Sequence, residues 1–177
     1  MRRSHLILLV VALALFSGTV QAKSISWKYV EFGWGRFDPD RGNEEDGWFA
    51  GGAVNFGPIH VFGDYGDFGP LDNWQVGAGW HGLLGKRADL FADAAFYDVD
   101  YDDGIKARFG ARWLILDWFE LNGNLAWTEL GDFRNYSALV NTIFELGNHF
   151  ALGVGYEWGD ELSTARAYAR IYFGSRD

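Results

Sequence analysis

The chain has 177 residues, a formal net charge of −9, no cysteine and 32 aromatic residues (nine Trp, eight Tyr, fifteen Phe). That length argues for one domain, and 18 % aromatic content with 24 glycines and three prolines excludes a disordered chain, which is poor in aromatics. The acid excess argues against nucleic acid as a partner, because phosphates need a basic face, and the lack of cysteine excludes a disulfide scaffold and a thiolate metal site.

Residues 1–22 have the pattern of a cleaved secretory signal peptide. Arg2 and Arg3 give a charged start, Leu6 to Phe16 is an apolar run, and Val20-Gln21-Ala22 places small residues before the expected cut. The run is shorter than the about 20 apolar residues a stable helical anchor takes. Cleavage would remove two arginines and take the net charge from −9 to −11. No later stretch is long and apolar enough for a transmembrane helix, so the mature chain is expected either to be exported in soluble form or to cross a membrane as strands.

From residue 23 onward, apolar side chains recur at every second position, which is the strand signal. The run Ile105, Ala107, Phe109, Ala111, Trp113 lies on one face, with Lys106, Arg108, Gly110, Arg112 on the other. In chain order the pattern predicts ten strands at 25–35, 47–56, 59–66, 74–82, 89–98, 105–114, 119–129, 135–145, 149–158 and 164–173, with eight strands as the alternative. The links after odd-numbered strands, at 36–46, 67–73, 99–104, 130–134 and 159–163, are polar and longer. Those after even-numbered strands, such as Gly57-Pro58 and Leu146-Gly147-Asn148, are tight. The expected arrangement is an antiparallel meander with both termini at the tight-turn end.

Alternation alone does not say whether the apolar face meets a core or lipid. Aromatic spacing does. Trp48 and Phe56, Phe119 and Trp127, Tyr136 and Phe144, and Phe150 and Trp158 are same-face pairs eight residues apart. Eight steps of about 3.3 Å span roughly 26 Å, and a tilt of about 40° makes that a band about 20 Å tall. Across the hairpins they form two rings. Trp34, Trp48, Tyr65, Trp74, Phe96, Trp127, Tyr136 and Trp158 adjoin the longer links, and Phe56, Trp80, Trp113, Phe119, Phe144, Phe150 and Phe173 adjoin the tight turns. Aromatic rings favour the lipid–water interface, whereas a soluble core holds its largest rings mid-strand. The expected class is therefore all-β: a closed, antiparallel, up-and-down transmembrane β-barrel spanning 23–177.

The leader, the alternating links and the last strand, Ala165-Arg166-Ala167-Tyr168-Ala169-Arg170-Ile171-Tyr172-Phe173, resemble the small bacterial outer-membrane barrels of the OmpA/OmpX kind. The resemblance implies an outer-membrane location, contact with lipid and lipopolysaccharide, and a terminal aromatic read by the barrel-insertion machinery. Phe173 occupies that place, with Gly174-Ser175-Arg176-Asp177 following it. More weakly, Tyr29-Val30-Glu31, His60-Val61-Phe62 and Gly85-Lys86-Arg87-Ala88-Asp89-Leu90 are similar to a family of predicted outer-membrane barrels once described as a quorum factor; no activity is carried over from it.

Parity then fixes the lumen face. It carries Glu31, Asp64, Asp93, Glu120 and Glu157 against Lys106, Arg108, Arg112, Arg166 and Arg170, together with Gln75, His81, Asn122, Asn124 and His149. A barrel of eight to ten strands is nearly filled by side chains, and an unpaired charge there costs several kcal/mol. Expected pairs are Arg112 with Glu120, Glu157 with Arg166, and Glu31 with Arg166 or Arg170. Asp93 is expected opposite Gly110, diagonal to Arg108 and Arg112. Inward Phe49, Phe62, Phe91, Tyr97, Leu139, Tyr168 and Tyr172 narrow the space, and inward Gly33, Gly51, Gly77, Gly79, Gly153 and Gly155 leave room beside one wall.

Other chemistry is thinly represented. Asp98, Asp100, Asp102 and Asp103 are weak candidates for divalent-ion binding, but the run lacks the Gly and Glu positions of an EF-hand loop. His60, His81 and His149 fall at the tight-turn ends, near the periplasmic rim, and Ser137 and Ser163 at the other end. Neither a Ser–His–acid group nor an aspartate–histidine site with the loop aspartates is expected. The sequence thus predicts a monomeric, non-catalytic barrel without cofactor, structural or surface-interacting, with 36–46 as its most exposed link and an external partner that no motif names. A narrow low-conductance channel is the alternative, and an outer-membrane enzyme is disfavoured.

Overall fold

Strict alternation over long segments, with Gly-rich tight links between them, closes into a single sheet. The computed structural model describes residues 25–39, 43–69, 71–85, 87–99 and 102–174. The signal peptide expected over 1–22 lies outside them. The ten strands are β1 (Tyr29–Pro39), β2 (Glu45–Phe56), β3 (Ile59–Phe68), β4 (Leu71–Leu84), β5 (Ala88–Val99), β6 (Asp102–Leu116), β7 (Phe119–Leu130), β8 (Phe133–Glu145), β9 (Phe150–Gly159) and β10 (Leu162–Tyr172). Each is antiparallel to its sequence neighbours, and β1 pairs with β10 from Tyr29↔Tyr172 to Pro39↔Leu162, which closes the barrel. Closure leaves no sheet edge unpaired, the condition for a strand to lie in hydrocarbon.

The two faces are inverted relative to a water-soluble protein. On β6, Phe109 and Trp113 are 60 % and 56 % exposed on the outside, while Arg112 between them is 1 % exposed inside. The same inversion runs round the barrel. Val30, Phe32, Val76, Leu125, Val154 and Ile171 all face out and are exposed. Such a surface is stable against lipid and not against water, which decides between the two readings that alternation left open.

Three details differ from the sequence reading. First, β1 begins at Tyr29, not residue 25, and residues 25–28 stand outside the sheet. Second, the longer links mostly vanish. Ladders continue through them, pairing Asp67↔Asp72, Asp98↔Asp103 and Glu129↔Arg134, so that only 69–70, 100–101, 131–132 and 160–161 remain as links. A polar strand leaving the bilayer keeps its backbone groups satisfied by continuing to pair. Positive φ at Gly69 (74°) and Gly131 (54°) permits two of these tight turns. The 36–46 link shrinks in the same way to 40–44, its first and last residues having joined β1 and β2. Third, Phe173 lies one residue past β10, its N–H bonded to the Lys28 carbonyl at 3.1 Å.

Most of the inward glycines do not leave a wall free but seat rings, while Gly51 and Gly155 back onto Asp64 and Asn141. A Cβ on Gly153 would collide with the ring and hydroxyl of Tyr168, and one on Gly110 would meet the Phe91 ring at 2.7 Å. Gly153→Ala is expected to destabilise the barrel by about 1–3 kcal/mol through overpacking. An unchanged urea unfolding midpoint would show that Tyr168 moves aside freely.

Candidate functional site

The lumen is organised in levels from the end that holds the termini to the opposite end. At the termini end, residues 25–27 turn into the barrel mouth. Ile25, Ser26 and Trp27 are all buried. The Trp27 indole N–H donates to Asp89 Oδ2 at 2.7 Å. Its ring stacks on His60 at 4.2 Å between centroids and lies 5.1 Å from His81. The Arg112 guanidinium sits 4.7 Å from the Trp27 ring centroid. Arg112 also donates from Nη1 to the Ser26 carbonyl at 2.9 Å, and from Nε and Nη2 to the two Glu120 oxygens at 2.7 and 3.0 Å. Planar guanidinium against planar carboxylate gives two parallel charge-assisted bonds, the strongest form of this pair. With Arg112 1 % and Glu120 0 % exposed, the level is packed shut.

Above it, Arg108 donates to both oxygens of Asp93 at 2.8 and 3.2 Å, and Arg170 donates twice to Glu31 Oε2 at 3.0 and 2.7 Å. Arg170 also lies 3.9 Å from the Tyr29 ring centroid. The next level holds Glu157, which accepts from Ser137 at 2.6 Å, from Lys106 at 3.3 Å and from Arg166 at 3.3 Å. Beside it Gln75 donates to Asp64 at 2.5 Å. Of the two basic partners open to Glu31, then, Arg170 is the one it meets.

The register corrects one placement. Asp93 is opposite Arg108, and Phe91, not Asp93, is opposite Gly110. The last pair of the β5–β6 ladder is Val99↔Asp102, which centres the hairpin one residue before the centre expected from the polar run. Arg112 is opposite Asn122 and reaches Glu120 diagonally past a bulge at Leu114/Leu116.

Two spaces remain in the lumen. A cavity of about 80 Å³ sits above Trp27, among Tyr29, Phe62, Asp64, Gln75 and Arg108. A larger one of about 280 Å³ forms a vestibule toward the loop end, with Phe49, Phe68, Tyr97, Leu130 and Leu162 around it and Gln75, Lys106, Glu157 and Arg166 beneath.

The histidines are placed differently from expectation. His60 is fully buried and His81 nearly so, with Nδ1 atoms 3.3 Å apart, and His60 Nε2 is 3.4 Å from Asp93 Oδ2. An aspartate–histidine group that the sequence reading did not consider does form, because its carboxylate comes from the lumen face of β5 and not from the loops. Only His149 is at the rim, exposed in the β8–β9 turn. Buried Asp89 and Glu145 also face the lumen and were missed, although each shares the parity of an inward neighbour, Asp93 and Leu139. Trp27 carries no such signal, since its place depends on rings from β3 and β4.

The aspartates considered for divalent ions divide between faces. Asp98 and Asp103 are cross-strand neighbours on the outside, alternation sends Asp102 the other way, and Asp100 lies outside the described residues. Among the described residues no group of three or more His, Cys, Asp or Glu side chains is placed to hold a metal ion. The aromatic rings expected at the interfaces lie on the outer surface. Trp34, Trp48, Phe56, Tyr65, Trp74, Trp80, Trp113, Tyr136, Phe144, Phe150, Trp158 and Phe173 are exposed, and Phe119 and Trp127 are half-buried against neighbouring strands.

A closed antiparallel barrel with an apolar, aromatic-girdled outside and a charged inside is the fold of outer-membrane β-barrel proteins. Among solved structures the chain is similar to the KdgM porin, with a TM-score of 0.56 and 6 % identity over 81 % of this chain and 99 % of that one. The KdgM porin in complex with disordered oligogalacturonate matches with a TM-score of 0.56 and 8 % identity over 82 % and 99 % of the two chains. The outer membrane channel DcaP of Acinetobacter baumannii matches with a TM-score of 0.43 and 11 % identity over 86 % of this chain and 56 % of that one. The likeness is one of fold. No protein-family model matches the chain. No curated protein matches it either.

Proposed function

We propose that this chain is a non-catalytic, monomeric integral outer-membrane protein. In this reading it is a small barrel of the OmpA/OmpX kind with one more hairpin than the eight-stranded form. Both termini and the tight turns face the periplasm, and the other end faces the cell exterior. Its role is structural or surface-interacting. Lipid and lipopolysaccharide surround it, the insertion machinery reads its last strand near Phe173, and it needs no cofactor.

One observation carries the closed-barrel reading: Trp27, Arg112 and Glu120 fill the termini end, each less than 10 % exposed and bonded to one another or to Asp89. An ion crossing there would have to displace a bidentate pair in a low-dielectric space. A non-catalytic role fits the same geometry. His60 is stacked against Trp27 and fully buried, and the Ser137 hydroxyl is bonded to Glu157 at another level.

The second reading is a narrow channel. The 80 and 280 Å³ cavities favour it, since they share Glu31, Asp64, Gln75, Lys106, Glu157 and Arg166 and so stack along one path. The fold shared with the KdgM porin is compatible with it. Single-channel recording in a planar bilayer separates the two. The expected result is a silent membrane once insertion has been verified. Discrete steps that shift in size when Lys106 or Arg166 is neutralised would replace the closed barrel with the channel.

A further inference from the structure

We propose that the vestibule is a binding site for a small organic anion with an apolar body, a monocarboxylate seated head-down on Arg166 and Lys106. The proposal goes beyond the closed-barrel reading and does not depend on whether the lumen conducts.

The argument starts from an imbalance between levels. Arg112, Arg108 and Arg170 each make at least two bonds to a carboxylate of their own, the shortest at 2.7, 2.8 and 2.7 Å. Glu157 instead serves two cations at once, Lys106 and Arg166, each through one contact of 3.3 Å. That is beyond the about 2.7–2.9 Å of a good ammonium– or guanidinium–carboxylate bond. The Glu157 Oε1 atom that meets Lys106 already accepts the Ser137 hydroxyl at 2.6 Å. Arg166 also keeps 28 % of its side chain exposed, and its buried Nε has no hydrogen-bond partner. A guanidinium carries five donors in a fixed fork. Here most of that fork is unused, beneath an open cavity.

The open fork and the shape of the cavity then select the ligand. Lys106 and Arg166 face Glu157 at the vestibule floor, and Asp64, bonded to the neutral Gln75, adds a second carboxylate beside them, so the open Arg166 fork and not net charge selects an anion. Of the other acids there, one is paired with an arginine, one is bonded to a neutral amide and one lies farther out. Glu31 is held by Arg170, Asp64 by Gln75, and Glu161 is at the rim. An ammonium ligand would meet two cations. A carboxylate would meet the exposed part of the Arg166 guanidinium and the Lys106 ammonium, each a charge-assisted contact. Above the floor the walls are Phe49, Phe68, Tyr97, Leu130 and Leu162, so the remainder of the ligand is expected to be apolar. At about 280 Å³ the space is at or below the small end of ligand pockets, which favours a single ring or a short chain over a larger molecule.

The test uses the folded full chain in lipid nanodiscs and fluorine NMR of 4-fluorobenzoate. Its neutral and cationic counterparts are 4-fluorobenzyl alcohol and 4-fluorobenzylamine, and empty nanodiscs correct for partition into lipid. The expected result is saturable benzoate binding at least about tenfold tighter than either counterpart, weakened about tenfold by Arg166→Gln and partly restored by Arg166→Lys. Lys106→Gln serves as a second variant should Arg166→Gln fail to fold. Equal binding of the three probes, no saturable benzoate binding, or a benzoate affinity unchanged in both glutamine variants would overturn the proposal. The ranking of the three probes on the unaltered protein decides the matter even if neither variant inserts.

Discussion

Arg112→Ala is expected to lower the unfolding midpoint of the barrel more than removal of any other single lumen cation. Arg112 ties three parts of the chain together: Glu120 on β7, the Ser26 carbonyl of the segment before β1, and the Trp27 ring. Its removal leaves Glu120, 0 % exposed, without the guanidinium that offsets its desolvation. Breaking a buried pair from one side typically costs about 3–5 kcal/mol, most of it the cost of the charge left behind. The companion variant, Arg112→Met with Glu120→Leu, is expected to recover much of that loss, because it removes both charges and keeps the volume filled. Arg36 makes a sharp contrast. It donates to Asp46 with similar geometry, 2.7 and 3.2 Å, but both side chains are about half exposed, and Arg36→Ala is expected to leave the midpoint nearly unchanged. Urea titration followed by gel mobility of the folded and unfolded forms measures all three. A midpoint for Arg112→Ala equal to that of the unaltered protein would mean that Glu120 reaches water or another donor, and the level is not sealed.

Much of this arrangement is legible in the chain, for a reason specific to membrane barrels. Period-two alternation over Ile105 to Trp113 fixes both the strand and which side chains enter the lumen, and the aromatic ends of the strands fix which side is lipid. Turn centres then bring Arg112 within reach of Glu120 and Glu157 within reach of Arg166, because pairs close to a tight turn have few registers open to them. Away from the turn the same logic loses accuracy. Moving the β5–β6 turn centre by one residue shifts the partner of Asp93 from Gly110 to Arg108. Polarity misled at the strand ends, since Asp67, Asp72, Asp102 and Asp103 look like loop residues yet sit in paired ladders above the aromatic band. The histidine–aspartate group and the inward turn of residues 25–27 were not legible at all. They arise from side chains on β3, β4, β5 and β6 meeting across the lumen, which alternation along any one strand does not encode.

Trp27→Gly is expected to open the termini end of the lumen to solvent, and the three histidines among the described residues give the readout. In the unaltered protein His60 is covered by the Trp27 ring and fully buried, whereas His149 is exposed in a turn. Diethyl pyrocarbonate added to the folded barrel should therefore modify His149 and leave His60 and His81 untouched, as read by peptide mass spectrometry. In the variant the indole no longer holds Asp89 Oδ2 or stacks on His60, and the segment keeps the Arg112–Ser26 bond to the lumen wall. His60 and His81 should then react, His149 should react as before, and the loss of a buried indole should cost about 3–5 kcal/mol of stability. Unchanged protection of His60 would sink the idea that residues 25–27 are the cover. Conductance of the same variant separates cover from seal. If His60 becomes reactive while the bilayer stays silent, the Arg112–Glu120 pair closes the path by itself, and residues 25–27 only shield it from water. If reactivity and conductance appear together, the path is blocked by the indole, and the two cavities above it belong to a pore that the chain's own N-terminal segment stoppers.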